Sequence, residues 1–564
     1  MPTELDKDIQ RITEAVTAPG QMFELTQVTR RGVTMPAFKN APPSVAHYFA
    51  HFCNEKKDET FIVEGEMRMT FGEIWHAASH VAHSLATQHG IEKGDRIGLA
   101  ARNSTNWIVA YMGILMAGGC ATLLNGWWTG EELAYGIDLC ECKLVLADPQ
   151  RAARLDGMEH TAKIVVFDHG VPSEGLAPVW AAGDTAMKML GQIGPDDLAT
   201  ILYTSGSTGH PKGAYSDHLG VVSGTMNYVC QTAMILQLLT EKGDAPTVQP
   251  SALVAVPLFH VTGEVPLFLQ SFAMGRKLVL MPKWDATEAL RLLADEQITY
   301  FVGVPLMSYE IAVHPDREKY DLSQCKTFAG GGAARPIEHV KKIKDAFKDG
   351  FPALGYGLTE TNGVGAGNLN ENYLAKPNST GMPSLPLVDM AILDDDGKAL
   401  EQGKVGEVSI RSACNFLGYW KNEEATKAAY SDDAYFRTGD LGYLDEDNYL
   451  FIVDRKKDII IRGGENISCI EVEEAIYAHP KVAECSVFGL PDERFGEVPA
   501  AVYYVHPGEE LSVEELQGFL REHIAAFKVP SVIWRSDEQL PRLGTQKVDK
   551  RTVKANYAKE HLAA

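Results

Sequence analysis

Residues 203–213 read YTSGSTGHPKG, and no other stretch restricts the backbone around it so narrowly. An apolar run at 198–202 leads in and predicts a short buried strand. Thr204, Ser205, Ser207 and Thr208 then interleave with Gly206, Gly209 and Gly213, and Lys212 sits near the end. Glycines let a backbone approach an anion closely and take up positive φ. Hydroxyls and free N–H groups donate to phosphate oxygens, and one lysine adds a mobile point charge. This is the composition of a loop that cradles polyphosphate. It is not a Walker A loop, because Gly213 follows Lys212 where Ser or Thr is required.

The order of residues in this loop resembles the phosphate loop of the AMP-forming adenylating enzymes: acyl- and aryl-CoA synthetases, peptide-synthetase adenylation domains and beetle luciferases. Later strings resemble the same family, in the family's order. PLFHVTG at 257–263 places His260 beside the substrate carboxylate, at the mouth of an acyl pocket. TFAGGGAARP at 327–336 aligns Gly332, Ala333 and Ala334 with the adenine-contact strand. ALGYGLTET at 353–361 implies Tyr356 and Gly357 at the adenine, Thr359 at the α-phosphate and Glu360 as a ligand for Mg²⁺. YFRTGD at 435–440 implies Asp440 on the ribose hydroxyls, with Arg437 as structural support. DRKKDIIIRGGEN at 454–466 implies Arg455 on ribose or phosphate and Lys457 as the hinge of a mobile unit. In the same string Gly463 and Gly464 would admit the pantetheine arm of coenzyme A. LPRLGTQKVDKRTVK at 540–554 matches Lys547 to the catalytic lysine of adenylation, although Gln546 replaces the usual preceding glycine.

The rest of the chain alternates helical and strand-like segments, which predicts an α/β architecture with largely parallel sheets. Residues 60–63 and 67–70 read as a hairpin, 74–88 and 107–117 as helices, and 96–99, 144–147 and 163–167 as strands. A short amphipathic helix is expected near 6–16. The tail reads as helix 470–478, strands 482–489 and 500–505, helix 513–526 and strand 532–534. The resemblance implies a large N-terminal adenylating domain of stacked α/β subdomains, residues 1–456, which would bind ATP and the acyl substrate. A small mobile C-terminal α/β domain, 457–564, would carry Lys547. Residues 219–240 lack any charge over roughly the length of a membrane-spanning helix, but their polar residues favour a helix of a soluble core. The connection 236–250 is longer than the family uses; it reads as a surface loop, with a substrate lid or a homodimer contact as the other readings.

Composition narrows the partners. A net charge of −23 argues against nucleic acid, so any bound nucleotide must be held by local positive charge. The nine cysteines are scattered without metal-site spacing, which fits a reducing cytoplasm, and the N-terminus carries no secretory signal.

The chemistry implied is attack by a carboxylate on the α-phosphorus of ATP. Both reactants are anionic, so the site must supply fixed positive charge. The loop Thr204–Lys212, Mg²⁺ on Glu360 and Lys547 would do this, giving acyl-AMP and pyrophosphate, and coenzyme A would then take the acyl group. Gly303, Gly330, Gly331 and the apolar helix near 226–230 suggest a roomy, uncharged pocket for a hydrophobic acid, a fatty acid first among them. The alternatives are transfer to a carrier-protein thiol, or a CoA ligase for an aryl or steroid side-chain acid.

Overall fold

The computed structural model describes residues 3–182, 192–204, 210–333, 335–543 and 547–563. Two large sheets organise its N-terminal part. The first has seven strands, and its parallel centre runs Leu198–Thr204, Cys120–Leu123, Arg96–Ala100, Leu144–Ala147, Lys163–Val166. The second has nine, with the parallel order Phe351–Tyr356, Thr327–Gly331, Tyr300–Gly303, Ser251–Val254, Lys277–Leu280, Thr60–Glu64. Central strands such as Leu144–Ala147 and Ser251–Val254 are buried at every residue. That is why they read as continuous apolar runs rather than as alternation.

Helices fill the space between the sheets. Every residue of Thr105–Met116 is buried, as expected of a helix that is apolar all round. The charge-free stretch forms the 24-residue helix His218–Glu241. Its residues Val221, Met226, Val229 and Cys230 join one apolar core with Phe49, Leu99, Trp107, Val254 and Val302. No helix among the described residues is long and apolar enough to cross a membrane. Residues 236–241 belong to this helix, so the expected long connection begins only at Lys242. Gln249 in that connection donates to the carbonyls of Thr60 and Gly275, at 2.8 and 3.0 Å.

The N-terminal helix Glu4–Val16 is held by a capping box between Thr3 and Asp6. Asp6 also accepts from Asn372 and Tyr449, each at 2.8 Å, which ties the start of the chain to its distant parts.

The expectation of largely parallel sheets fails beyond residue 388. Asp389–Leu393, Gly406–Arg411, Phe436–Leu444 and Leu450–Arg455 form a wholly antiparallel four-stranded sheet. Leu444 and Leu450 lie too close in sequence for the dozen or more residues that a parallel crossover needs. The tail has its own core around Val472, Ile476, Val487, Tyr503, Leu516 and Leu520. There the hairpin Val482–Asp492 and Gly496–Val505 is backed by helices Cys469–Tyr477 and Val513–His523, and Val532–Arg535 pairs parallel to it. All nine cysteines are buried and unpaired.

Asp217 is the joint between the first sheet and the long helix. It accepts from the Gly220 N–H at 2.8 Å as the helix cap, and both of its oxygens receive the guanidinium of Arg30, at 2.6 and 2.7 Å. Removing one partner of such a buried pair strands the other charge. Asp217→Ala is therefore expected to cost about 3–5 kcal/mol, read as a lowered midpoint of the first transition in urea.

Candidate active site

The parallel strands of the second sheet end at one edge, and the first sheet's Leu198–Thr204 ends in the strand-to-loop segment that carries Thr204. Ligands of open α/β sheets sit at such carboxyl ends. Thr204 and Lys212 are register partners of two antiparallel strands. Ser205, Gly206, Ser207, Thr208 and Gly209 lie outside the described residues, as do Ala334 and Gln546.

Three groups of side chains converge on this edge. Glu360, only 7 % exposed, sits in the turn Thr359–Thr361. Its Oε1 accepts from the Tyr419 hydroxyl at 2.8 Å, and the Lys212 ammonium lies 4.8 Å from the Tyr419 ring centre. Burial pushes the Glu360 carboxyl upward, while Tyr419, Arg455 and Lys212 pull the other way. Among the described residues no three acidic, histidine or cysteine side chains gather as a metal cage. One buried carboxylate suits Mg²⁺, which seldom takes an all-protein shell and fills its remaining positions with phosphate oxygens and water.

In the second group the Tyr356 hydroxyl donates to Asp440 Oδ2 at 2.7 Å, and Arg455 Nε lies 3.2 Å from Asp440 Oδ1. Burial raises the Asp440 carboxyl, and Arg455 and Tyr356 oppose that shift. Gly357 is required sterically, because a Cβ there would strike the carbonyl oxygen of Gly363.

The third group joins the C-terminal part of the chain to the second sheet. His260, Thr262, Gly303, Val304, Gly331 and Lys547 line one small pocket. Lys547 Nζ lies 2.6 Å from where a Cβ of Gly332 would stand, and Gly332 has φ +73°. Burial, then repulsion from Arg455, draws the Lys547 ammonium down to about 8. His260 accepts from the Thr262 N–H at 3.3 Å, and burial together with Lys547 takes its pKa to about 3, so the ring is neutral at physiological pH. Arg455 therefore acts on all three groups. Ala333 follows Gly332 on the exposed side of the same edge, and Thr359 opens the turn that holds Glu360.

The sequence-expected residues do not all meet here. Lys457 is exposed, in the turn after Arg455, and Gly463 and Gly464 form the exposed tip between Ile460–Arg462 and Glu465–Ile467, with φ +59° and +92°. None of the three lines the pocket at Lys547. Arg437 pairs with Glu407 at 2.8 Å and is structural, as expected. The roomy pocket is a correction. The space before Gly330 is filled by the Arg335 guanidinium and that before Gly303 by Met307 Sδ at 2.9 Å, so only Gly331 leaves its space toward the pocket. Tyr419 went unnoticed as a site residue. Its signal lies in pairing, since the strand Gly418–Tyr419 docks on Lys212–Asp217 and so delivers the hydroxyl to Glu360.

Comparison with known proteins gives the family and the fold. Residues 49–420 match the family described as AMP-binding enzyme, and residues 471–547 match the AMP-binding enzyme C-terminal domain. The chain is 30% identical over 537 residues to a long-chain-fatty-acid–CoA ligase of Bacillus subtilis, covering 89% of this chain and 93% of that protein. It is 32% identical over 492 residues to a 2-succinylbenzoate–CoA ligase of Bacillus licheniformis, covering 87% and 95%. Its structure superimposes on that of ATP-bound MatB from Rhodopseudomonas palustris with a TM-score of 0.78 at 27% identity, covering 92% and 99%.

Gly332→Ala tests the contact that closes the pocket. The new methyl would displace the Lys547 ammonium, and misplacing a reacting group by about 1 Å can cost on the order of 100-fold in rate. The expected result is a loss of that size in ATP-dependent pyrophosphate release, with an unchanged circular-dichroism spectrum.

Proposed function

The chain belongs to the family of AMP-binding enzymes, and we propose that within it the chain is a carboxylate–CoA ligase that works through an acyl-adenylate. The observation that carries this is Lys547, from the C-terminal part of the chain, lodged beside His260 and Gly332 at the sheet edge. Relatives named for long-chain fatty acids, 2-succinylbenzoate and ferulate support CoA ligation and leave the acid open. The apolar side chains Met226, Val229 and Val302 at the interface of helix and sheet support an acid with an apolar body, as a fatty acid has.

In the proposed reaction the acid's carboxylate oxygen attacks the α-phosphorus of ATP. The Lys547 ammonium would face the charge that develops on the α-phosphate oxygens, and Lys212 with the loop 205–211 would hold the β- and γ-phosphates. Glu360 would bind Mg²⁺, which would screen the phosphate oxygens from the incoming carboxylate. Asp440, held by Tyr356 and Arg455, would accept from the ribose hydroxyls. His260, neutral, would flank the acyl group without adding charge. Pyrophosphate leaves and acyl-AMP remains. Coenzyme A must then reach the same carbonyl, which Lys547 obstructs. A turn of residues 457–564 about Lys457 would withdraw that lysine and bring Gly463 and Gly464 to the pantetheine arm.

The deciding experiment is ATP-dependent pyrophosphate release over a panel of acids, each with and without coenzyme A. Sustained turnover that needs one acid class and coenzyme A supports the proposal; a single burst indifferent to coenzyme A would point to another acceptor. Removing one preorganised charge of this kind costs about 10²–10³ in rate. Lys547→Ala should lose acyl-AMP formation by at least that factor, yet still form thioester from supplied acyl-AMP. The pH profile follows from the same residue. Its ammonium is charged below about 8, so adenylation should fall as pH rises through about 8, measured as initial pyrophosphate release.

A further inference from the structure

One buried charge lies outside the machinery just described. Arg276 is 5 % exposed and stands where the chain enters the strand Lys277–Leu280. Its Nη1 donates to Gln270 Oε1 at 3.3 Å, and its guanidinium carbon lies 4.8 Å from the ring centre of Tyr300. Its Nε is buried without a hydrogen-bond partner, and it forms no ion pair among the described residues. Gln270 cannot turn away, because its amide nitrogen is held by the Tyr228 carbonyl at 3.0 Å and by Thr232 Oγ1 at 2.6 Å.

Two other buried arginines are neutralised. Arg30 is paired with Asp217 and Arg151 with Asp148. Arg335 also lacks a carboxylate and buries Nε and Nη1 without a partner, but its Nη2 donates to the Phe328 carbonyl and Ser308 Oγ behind the strand Thr327–Gly331. A cation kept from water without a counter-ion is strongly unfavourable. Burial accordingly draws the Arg276 pKa down, and only Tyr300 and Tyr48 lean the other way.

Position indicates what would supply the anion. Tyr228, Gln231 and Thr232 on the long helix, and Tyr300 on the sheet, are only half-buried, so solvent reaches the boundary between helix and sheet beside Arg276. Tyr300 begins the strand that leads to Val304, a wall of the Lys547 pocket. Four residues of extended strand span roughly 13 Å. Val302 follows on the same face of that strand, and Met226 and Val229 of the long helix share its apolar core.

We propose that the acid activated here carries a second carboxylate at its far end, about ten bonds from the first, and that Arg276 receives it as a specificity-determining residue. The inference rests on the ligase reading above and names the substrate class of that same site: an apolar body with a carboxylate at each end.

Matched pairs test it. Pyrophosphate release is measured with dodecanedioate against dodecanoate, and with 4-(5-carboxypentyl)benzoate against 4-hexylbenzoate, in the wild type and in Arg276→Met. Thermal midpoints of both proteins are recorded without ligand. The expected result is a preference of about tenfold or more in kcat/KM for the doubly charged acid, lost or inverted in Arg276→Met, with a midpoint that does not fall. Equal or better use of the methyl-ended acids by the wild type overturns the inference and leaves the ligase reading standing. So does a preference that survives in Arg276→Met, or a midpoint that falls while selectivity is unchanged, since either marks Arg276 as structural. Silence with every acid overturns the ligase reading, and this inference with it.

Discussion

The structure turns on one buried ammonium, that of Lys547, which has no counter-ion among the described residues. Lys547 reaches from the tail of the chain into the space that a side chain at Gly332 would fill, beside a neutral His260 and under the field of Arg455. A buried cation in such company is unfavourable unless an anion arrives. On the proposed reading the site is matched to phosphate and carboxylate oxygens, and to the charge that builds when one attacks the other. A preorganised charge in a dry site acts more strongly than one in water, and it needs no rearrangement at the moment of reaction.

That placement explains features that otherwise look separate. An acidic chain must concentrate its positive charge locally, and Arg455 does so by touching Asp440 while acting on Glu360 and Lys547. The glycines at the strand ends are there for close approach. Gly332 makes room for Lys547, Gly357 for the Gly363 carbonyl, and Gly303 and Gly330 for side chains packed from behind. The long helix His218–Glu241 and its cap at Asp217 set the wall against which the acid would lie. The same logic of unpaired charge reappears at Arg276, at the other end of that wall.

Much of this was legible in the sequence, for identifiable reasons. Short apolar runs between helical stretches marked the parallel strands, because strands buried on both faces leave little alternation to confuse them. Lys547, Glu360, Asp440 and Arg455 could be singled out because the short strings that carry them resemble the family's and follow in its order. What depended on pairing could not be read. The antiparallel sheet from Asp389 to Arg455, and Tyr419 carried to Glu360 by strand pairing, are tertiary outcomes with weak local signals. The apparent spaciousness of the triple-glycine string misled, since a missing side chain shows room but not which neighbour occupies it. Arg276 was hidden for a related reason, as nothing in its sequence surroundings reveals that it lacks a carboxylate.

The most direct test of the central claim follows an atom through the reaction. An acid that turns over is supplied with both carboxylate oxygens as ¹⁸O, and the products made with ATP and coenzyme A are examined by mass spectrometry. Attack at the α-phosphorus and later release by the thiol must leave one ¹⁸O in AMP and none in pyrophosphate. Label in inorganic phosphate, or AMP without label, would mean that the carboxylate never joined the α-phosphorus, and would contradict the role given to the site around Lys547.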